Sequence, residues 1–498
     1  MKAVSLARAL AALDAGDVET ARGVIGPALA AAPDDPATLH AAGRLALALK
    51  RPGDAAKLLV RAAPRLARAG AWSDLGRAFN NLRQFAEAED AFRRALEMEP
   101  GNAELHDRLG HVLRARNRME AAVAAFREAV ALDPGFARAW RNLGGTLLAC
   151  DDHEGAAAAL ERARQLEPGN VQVRLFQAAA AHRAGDRARA ISEYRGLLDE
   201  HPGLAEAWAN LGMALQDEGD LAGAIEAYEA AVSREPRDLG TANRLADAMI
   251  AAGRYAEALA CADRCLEADP GNPAAIAGRA VALAGLGRRE ESRDLLAADE
   301  LVRAVSLATP PGYPSLAAFN RDLVEFVLRH PSRRYEPAGH ATRKGSHTRD
   351  LLGNEPGPAA LLAEAAREAV AGYLDAVALP PGHPFPGPRP ADHRLVMWAV
   401  IMDRQGHQLP HIHPAAWLSG VYYAELPEDV DDSDEPAGWI EFGRPPEDLG
   451  GDLDVPLTIR RPREGTLFLF PSYLYHRTIP FSRGQRRVSL ALDVLRRP

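Results

Sequence analysis

The sequence lacks several features that define whole classes of protein. Only three of its 498 residues are cysteines, and their spacing matches neither a disulfide framework nor a zinc site. No apolar run is long enough to cross a bilayer, and the amphipathic N-terminus has no signal-peptide core. Basic residues are outnumbered, 59 against 68 acidic ones, giving a net charge of −9. We therefore expect a cytoplasmic protein without nucleic-acid or membrane partners.

A constant step of 34 residues organises the first three hundred positions. A chain of 498 residues is too long for one core, so at least two domains are expected. The residues that keep this step are prolines, tryptophans, leucines and alanines: Pro100, Pro134, Pro168, Pro202, Pro236 and Pro270; Trp72, Trp140 and Trp208; Leu75, Leu109, Leu143, Leu211 and Leu245; Ala88, Ala122, Ala156, Ala224 and Ala258. Apolar residues recur at spacings of three and four residues, which predicts pairs of amphipathic helices. A proline ends each pair.

This pattern resembles the tetratricopeptide repeat, a helix-turn-helix unit of the same length. The resemblance implies an all-α solenoid of about eight repeats over residues 1–300, followed by a linker over 301–314. Such arrays bind a protein or peptide in a concave groove. Asn142 and Asn210 share one position in their repeats and are candidates to contact a peptide backbone, although the repeat consensus alone also explains them.

The last third of the chain changes from helical to strand patterning. Two predicted helices, "LAAFNRDLVEFVLRH" and "GPAALLAEAAREAVAGYLDAV", precede at least six short segments rich in β-branched and aromatic residues. Helices followed by many short strands predict a jelly roll or small barrel with helical flanks. We expect this domain to span residues 315–498.

Three histidines beside these strands form a candidate metal site. His411 and His413 have H-x-H spacing, which places both on one face of a strand, and His476 follows a later strand. Imidazole suits iron, zinc, copper and nickel, so the histidines alone leave the metal open. Arg487 heads an R-x-S on the last strand, and arginine binds a carboxylate in bidentate fashion while Ser489 adds a hydroxyl on the same face.

The region from about 315 to 498 resembles the 2-oxoglutarate/Fe(II) oxygenase domain found after tetratricopeptide repeats in bacteria. The matching segments are "HIHPAAWLSGVYYAELP", "GWIEFGRP", "REGTLFLFPSYLYHRTIPF" and "RRVSLALDV". The resemblance implies a double-stranded β-helix, Fe(II), 2-oxoglutarate as co-substrate and O2. It also implies iron ligands at His411, His413 and His476. Arg487, Ser489 and Tyr423 are the candidates for contacts with 2-oxoglutarate.

His413 departs from the pattern of such oxygenases, which have a carboxylate at this position. Three interpretations stay open. His413 is a true third ligand, or only His411 and His476 bind the metal, or the site has lost iron chemistry and the barrel only binds ligands.

The sequence therefore predicts a hydroxylase that modifies a side chain of a protein or peptide captured by the repeats. One alternative is an adapter in which a cupin-like barrel senses a ligand or is a remnant. Another is a three-histidine dioxygenase that uses no 2-oxoglutarate, although such an enzyme has no need of Arg487. The substrate and the oligomeric state are not predicted.

Overall fold

The computed structural model describes residues 2–496 apart from 337–340, 354–356, 378–381, 386–392, 404, 428–429, 431–434, 451 and 483–484. The chain forms two compact units, Met1–Pro202 and Gly203–Pro498. Within the described ranges no helix is both long enough and apolar enough to cross a membrane.

The first unit consists of helices that pack as consecutive antiparallel pairs. Its twelve described helices are α1 (Lys2–Asp14), α2 (Val18–Ala31), α3 (Pro36–Ala48), α4 (Pro52–Leu66), α5 (Ala69–Asn81), α6 (Phe85–Met98), α7 (Ala103–Ala115), α8 (Met119–Leu132), α9 (Ala137–Ala149), α10 (His153–Leu166), α11 (Val171–Arg183) and α12 (Arg187–Glu200). Each odd-numbered helix contacts the next even-numbered one, and neighbouring pairs stack on one another.

The second unit begins with three more helix pairs and ends in β-sheets. Its helices are α13 (Ala205–Glu218), α14 (Leu221–Arg234), α15 (Leu239–Ala251), α16 (Tyr255–Ala268), α17 (Pro273–Gly285), α18 (Arg289–Leu296), α19 (Ala298–Leu301), α20 (Leu316–Arg329) and α21 (Pro358–Ala376). Its strands are β1 (Arg303–Ser306), β2 (Arg334–Tyr335), β3 (Thr342–Arg343), β4 (Ser346–His347), β5 (His393–Met402), β6 (Gln405–His411), β7 (Ala416–Glu425), β8 (Ile440–Phe442), β9 (Thr458–Arg460), β10 (Thr466–Pro471), β11 (His476–Ser482) and β12 (Arg487–Arg496).

The 34-residue step reflects how the helices end and how closely they pack. The second helix of a repeat ends two residues before its phased proline, as α6 does before Pro100 and α8 before Pro134. Proline is common there because it cannot continue the helix. Gly76 lies against the ring of Phe92, and a Cβ at Gly76 would meet that ring at 2.7 Å. The phased glycine therefore allows the two helices of a pair to approach closely.

The strands form two antiparallel sheets. One sheet has the order β1-β10-β7-β12-β5-β4-β2, and the other has the order β3-β6-β11-β8-β9. Helix α20 packs on β7, where the Tyr422 hydroxyl donates to the Asn320 side chain at 2.5 Å. The predicted fold class, an all-α solenoid followed by a jelly-roll domain with flanking helices, is confirmed.

The last helix pair is joined to the sheets by side chains that bind its final carbonyls. The His383 ring contacts the Leu295 carbonyl oxygen at 3.0 Å, and the Tyr473 hydroxyl donates to that of Leu296 at 3.3 Å. The last carbonyls of a helix have no partner within it, so these contacts satisfy them. Arg460 of β9 also pairs with Asp299 at 2.8 Å. The domain boundaries near 300 and 315 stay predictions.

Candidate metal centre

The antiparallel register of β6 and β11 brings two of the predicted ligands together. His411 ends β6, His476 begins β11, and the two are directly paired across the strands. Their ring centroids are 4.3 Å apart. Two histidines distant in sequence become neighbours because the last residue of β6 lies opposite the first residue of β11 in this antiparallel pair.

His413 joins this pair from the segment after β6. Its backbone N–H donates to the Ser472 carbonyl at 3.1 Å, which ties that segment to the turn after β10. One ring nitrogen from each of His411, His413 and His476 lies within 4.8 Å of the other two. The structure thus brings together all three histidines that the sequence indicated.

Hydrogen bonds fix which nitrogen of each ring is available to a metal. The His411 Nδ1 contacts the Leu409 carbonyl oxygen at 2.8 Å, and the His476 Nδ1 contacts that of Leu474 at 3.0 Å. A carbonyl oxygen can only accept, so in both rings Nδ1 carries the hydrogen and Nε2 is left with its lone pair. This is the arrangement that orients a histidine ligand toward a metal ion.

Asp493 does the same for His413 with a carboxylate. The His413 Nδ1 lies 2.6 Å from Asp493 Oδ1, and the Ser419 hydroxyl donates to that same oxygen at 2.7 Å. Asp493 and Ser419 face each other across β12 and β7. The ordinary carboxylate ligand is absent from this cluster, but a negative charge stands directly behind the histidine that replaces it.

Burial keeps two of the rings neutral. It lowers the pKa of His411 to about 3 and that of His476 well below its usual value, and in both cases the neighbouring His413 acts in the same direction. Neutral imidazole is the form that binds a metal ion. The neutral rings of His411 and His476, together with the His413 ring beside them, fit a divalent cation such as Fe(II).

Arg487 lies on the same face of β12 as Asp493, six residues earlier. It is the largest fully buried side chain of the described residues, with 1% of its surface exposed. It donates to the Ser489 hydroxyl at 3.3 Å, its carbon Cζ lies 5.1 Å from the centre of the Tyr423 ring, and its Nε has no hydrogen-bond partner. No carboxylate among the described residues pairs with it.

Tyr423 completes this buried polar group. It is the cross-strand partner of Ser489, and its buried hydroxyl has no hydrogen-bond partner in the described structure. Burial raises the pKa of Tyr423 and lowers that of Arg487, and the proximity of the two groups acts in the opposite direction on each pKa. The guanidinium and the two hydroxyls thus surround a place that suits an anionic, hydrogen-bond-accepting group.

Alternation along the strands explains why the neighbours of these residues face elsewhere. Tyr422 turns to α20, and Arg486 pairs with Glu425 at 2.8 Å, with about a third of its side chain exposed. In each of the pairs Tyr422–Tyr423 and Arg486–Arg487, only the second residue lies on the sheet face that carries Ser489 and Asp493.

Sequence reasoning missed Asp493 and Ser419. A signal was present, since Asp493 is a lone charge in the apolar segment "VSLALDVL" and shares its strand face with Arg487 and Ser489. His347 is buried and stacks on Trp398, whose ring lies 5.5 Å from that of His413. His407 is not part of the three-histidine cluster.

Comparison with known families agrees with this architecture. A tetratricopeptide-repeat family matches residues 6–71, 41–103, 73–135, 108–171 and 177–238, and a second one matches residues 215–264 and 249–302. A family described as "Putative 2OG-Fe(II) oxygenase" matches residues 396–493, a range that contains His411, His413, His476, Arg487 and Asp493. The chain belongs to the tetratricopeptide-repeat proteins and carries a C-terminal domain of that oxygenase family.

Three of the solved structures that match part of the chain have low sequence identity to it. MamA is 23% identical over 34% of this chain and 94% of its own, with a TM-score of 0.30. YrrB, titled "a TPR protein with an unusual peptide-binding site", is 19% identical over 37% and 96%, with a TM-score of 0.32. Pseudomonas aeruginosa pilF is 21% identical over 42% and 94%, with a TM-score of 0.36. No curated protein matches the chain.

Proposed function

We propose that the C-terminal domain is an Fe(II)- and 2-oxoglutarate-dependent hydroxylase that acts on a side chain of a protein or peptide bound by the repeats. The observation that carries this proposal is Arg487, a fully buried guanidinium without a carboxylate partner among the described residues. An uncompensated buried charge is strongly destabilising, so an anion is expected to bind beside it.

The contacts around Arg487 favour a carboxylate as that anion. The guanidinium offers two parallel donors, and Ser489 and Tyr423 offer hydroxyls beside it; that of Tyr423 makes no hydrogen bond of normal geometry in the described structure. This donor set matches the distal carboxylate of 2-oxoglutarate. A three-histidine dioxygenase without this co-substrate would leave the guanidinium unexplained.

The three histidines would hold the iron through Nε2, with His413 as a true ligand. Asp493 supports this assignment, because a carboxylate behind a histidine raises its basicity and fixes its orientation. Iron and 2-oxoglutarate, when bound, supply the oxidising chemistry. The chain orients these groups, and Phe442 and Phe470, whose rings lie 6.4 and 4.7 Å from that of His476, keep water from that side of the site.

The repeats would supply the substrate. Tetratricopeptide repeats present a concave groove for proteins and peptides, and this chain has them over its first three hundred residues. A cytoplasmic location is part of this proposal, because none of the three cysteines is in a disulfide, as is usual in a reducing compartment.

The adjacent arginines provide the test. Arg487→Ala is expected to weaken 2-oxoglutarate binding by two to four decades, from about 3–5 kcal/mol for leaving a buried charge without its partner. Arg486→Ala removes a partly exposed ion pair with Glu425, worth about 0–1 kcal/mol, and should bind 2-oxoglutarate normally. Both proteins are reconstituted with Fe(II) in the absence of oxygen, and 2-oxoglutarate binding is measured under these conditions. Oxygen is then admitted, and succinate formation is measured.

The iron content separates the possible outcomes. Arg487→Ala should keep its iron, since the guanidinium is not a ligand. If both variants bind 2-oxoglutarate as well as the unaltered protein does, the co-substrate assignment is wrong and the adapter hypothesis moves ahead.

A further inference from the structure

The first unit contains a polar groove that the oxygenase chemistry does not explain. It has a volume of about 560 Å³ and is lined mainly by α5, α7, α9 and α11, the first helices of four consecutive repeats. Thirteen residues line it, and the argument depends on its arginines, its single acidic residue and its side-chain amides.

The groove is positively charged although the chain as a whole carries −9. Five arginines line it against one carboxylate, Asp107: Arg77, Arg108, Arg114, Arg138 and Arg141. Three of these arginines have acidic partners. Arg77 pairs with Asp74 at 3.0 Å, Arg108 with Glu104 at 2.7 Å, and Arg138 with Asp107 at 2.9 Å.

The other two arginines, Arg114 and Arg141, have no ion pair with any described carboxylate. Both side chains are partly buried, so solvent compensates them only in part. Burial lowers the pKa of Arg114, the nearby Asp107 raises it, and the positive charge of Arg141 lowers it. Burial also lowers the pKa of His111, which lines the groove, and Arg114 acts in the same direction. Two like charges are thus held near each other, and the one carboxylate of the groove, Asp107, is already paired with Arg138.

Side-chain amides accompany these charges. Asn80 lines the groove, and its Oδ1 is buried without a hydrogen-bond partner. Asn81 and Gln172 line the groove as well. Asn142, a sequence candidate for a backbone contact, donates to Asp107 at 2.8 Å, so part of its hydrogen-bonding capacity is already used. Amides that combine a donor and an acceptor suit the backbone of an extended peptide.

We propose that this groove binds an acidic segment of a protein, with two carboxylates of the segment paired to Arg114 and Arg141. The proposal rests on the proposed function, because it names the class of substrate that the repeats would capture. Bidentate pairing with arginine provides affinity and register, and the amides pair with the backbone between the acidic side chains.

A nucleic acid fits this groove less well than a peptide. Asp107 would lie against the phosphates, which follow one another along the whole backbone of a nucleic acid. An acidic peptide carries its charges on side chains and can keep its backbone beside the amides. Phe176, a partly exposed aromatic residue of the groove, offers a contact for an apolar side chain within the same segment.

The test compares two fluorescent peptides on the full-length protein by anisotropy, without metal or 2-oxoglutarate. One peptide alternates glutamate with serine, and the other replaces each glutamate with glutamine. The glutamate peptide should bind more tightly, and its affinity should fall as salt is added. Arg114→Gln and Arg141→Gln should each weaken it by about tenfold, the loss of one charged hydrogen-bonded contact. Arg187→Gln, an exposed arginine of α12 that does not line the groove, is the matched control and should have no effect.

Equal affinity for the two peptides would overturn the proposal even if a variant failed to fold, because that comparison uses the unaltered protein. Equal losses in Arg114→Gln and Arg187→Gln, or tighter binding of oligothymidylate than of the glutamate peptide, would also overturn it. Failure of the oxygenase proposal is a separate result, since it would appear as lost 2-oxoglutarate binding with peptide binding unchanged.

Discussion

The repeats and the oxygenase domain differ in how far apart in sequence their interacting residues lie. In the repeats, a residue meets partners a fixed, short distance along the sequence, as Gly76 meets Phe92 and as His40 meets Asp74, one repeat later. In the oxygenase domain, the site joins distant residues, and His413 is 80 positions from Asp493. Damage to a repeat should therefore stay local and moderate, whereas loss of one residue in the site should remove a whole function.

The largest effect is expected from truncation, because the helices α17 to α19 belong to the same compact unit as the sheets. A chain that starts at Gly203 should fold and bind one metal ion, whereas one that starts at Arg303 should not fold. The shorter chain loses three buried leucines, Leu295, Leu296 and Leu301, at about 2–5 kcal/mol each. That loss is comparable to the whole stability of a domain, about 5–15 kcal/mol.

Thermal unfolding and metal content of the two fragments show whether the sheets need the preceding helices to fold. If both fragments melt cooperatively at the same temperature and hold the same amount of metal, the sheets are independent of the repeats beside them.

The next largest effect concerns the metal ligands themselves. His476→Ala should weaken metal binding by more than about a hundredfold, beyond the 10–100-fold that loss of a supporting residue typically costs. His407→Ala is the matched control, because His407 lies on β6 outside the cluster. Titration with Co(II), followed by its visible spectrum, measures both. Unchanged cobalt binding in His476→Ala would remove this residue from the ligand set.

Asp493→Asn should have a smaller effect, a loss of about 10–100-fold in metal affinity with the fold intact. Asparagine keeps the shape of aspartate, but it removes the charge and can turn its NH2 group toward His413. Ser419→Ala removes only one hydrogen bond to Asp493, and its cost of about 0.5–1.5 kcal/mol predicts a loss of roughly two- to tenfold.

Co(II) titration and the cobalt spectrum distinguish this role from a purely structural one, since a changed ligand set alters the spectrum. Wild-type affinity and spectrum in Asp493→Asn would mean that His413 does not bind the metal, leaving His411 and His476 as the ligand pair.

The repeats were easier to predict from the sequence than the oxygenase domain. The helix pairs were predictable because prolines and small residues recur at the same positions in successive repeats. Once one repeat is assigned, the bounds of the next repeat follow. The histidines and Arg487 were visible as polar residues beside apolar strands. Asp493 was missed because its role depends on the register between β12 and β7, which sets Asp493 opposite Ser419. No local spacing encodes that pairing. Strand β1 was missed for the same reason, because it is defined by its pairing with the distant β10. It lies within the segment that was predicted as a linker.

The smallest effect tests the repeats and should leave the metal untouched. Gly110 lies under the ring of Phe126, and a Cβ at Gly110 would meet that ring at 2.7 Å. Gly110→Ala should destabilise the first unit by about 1–3 kcal/mol through overpacking, in spite of the roughly 1 kcal/mol that alanine gains over glycine within a helix. Gly101→Ala is the matched control, since a Cβ there meets no atom within 4 Å, and its effect should stay within about 0.5 kcal/mol.

Hydrogen exchange is the measurement that separates the two regions, because one melting temperature does not describe a protein of several domains. In Gly110→Ala, faster exchange should be confined to α7, α8 and the helices packed on them, while metal affinity stays at its wild-type value. Nearest-neighbour packing in a repeat array predicts this restricted spread. Faster exchange throughout β6 and β11, or a loss of metal, would mean that the repeats and the oxygenase domain unfold as one cooperative unit. The effect of a substitution in a repeat would then not be local.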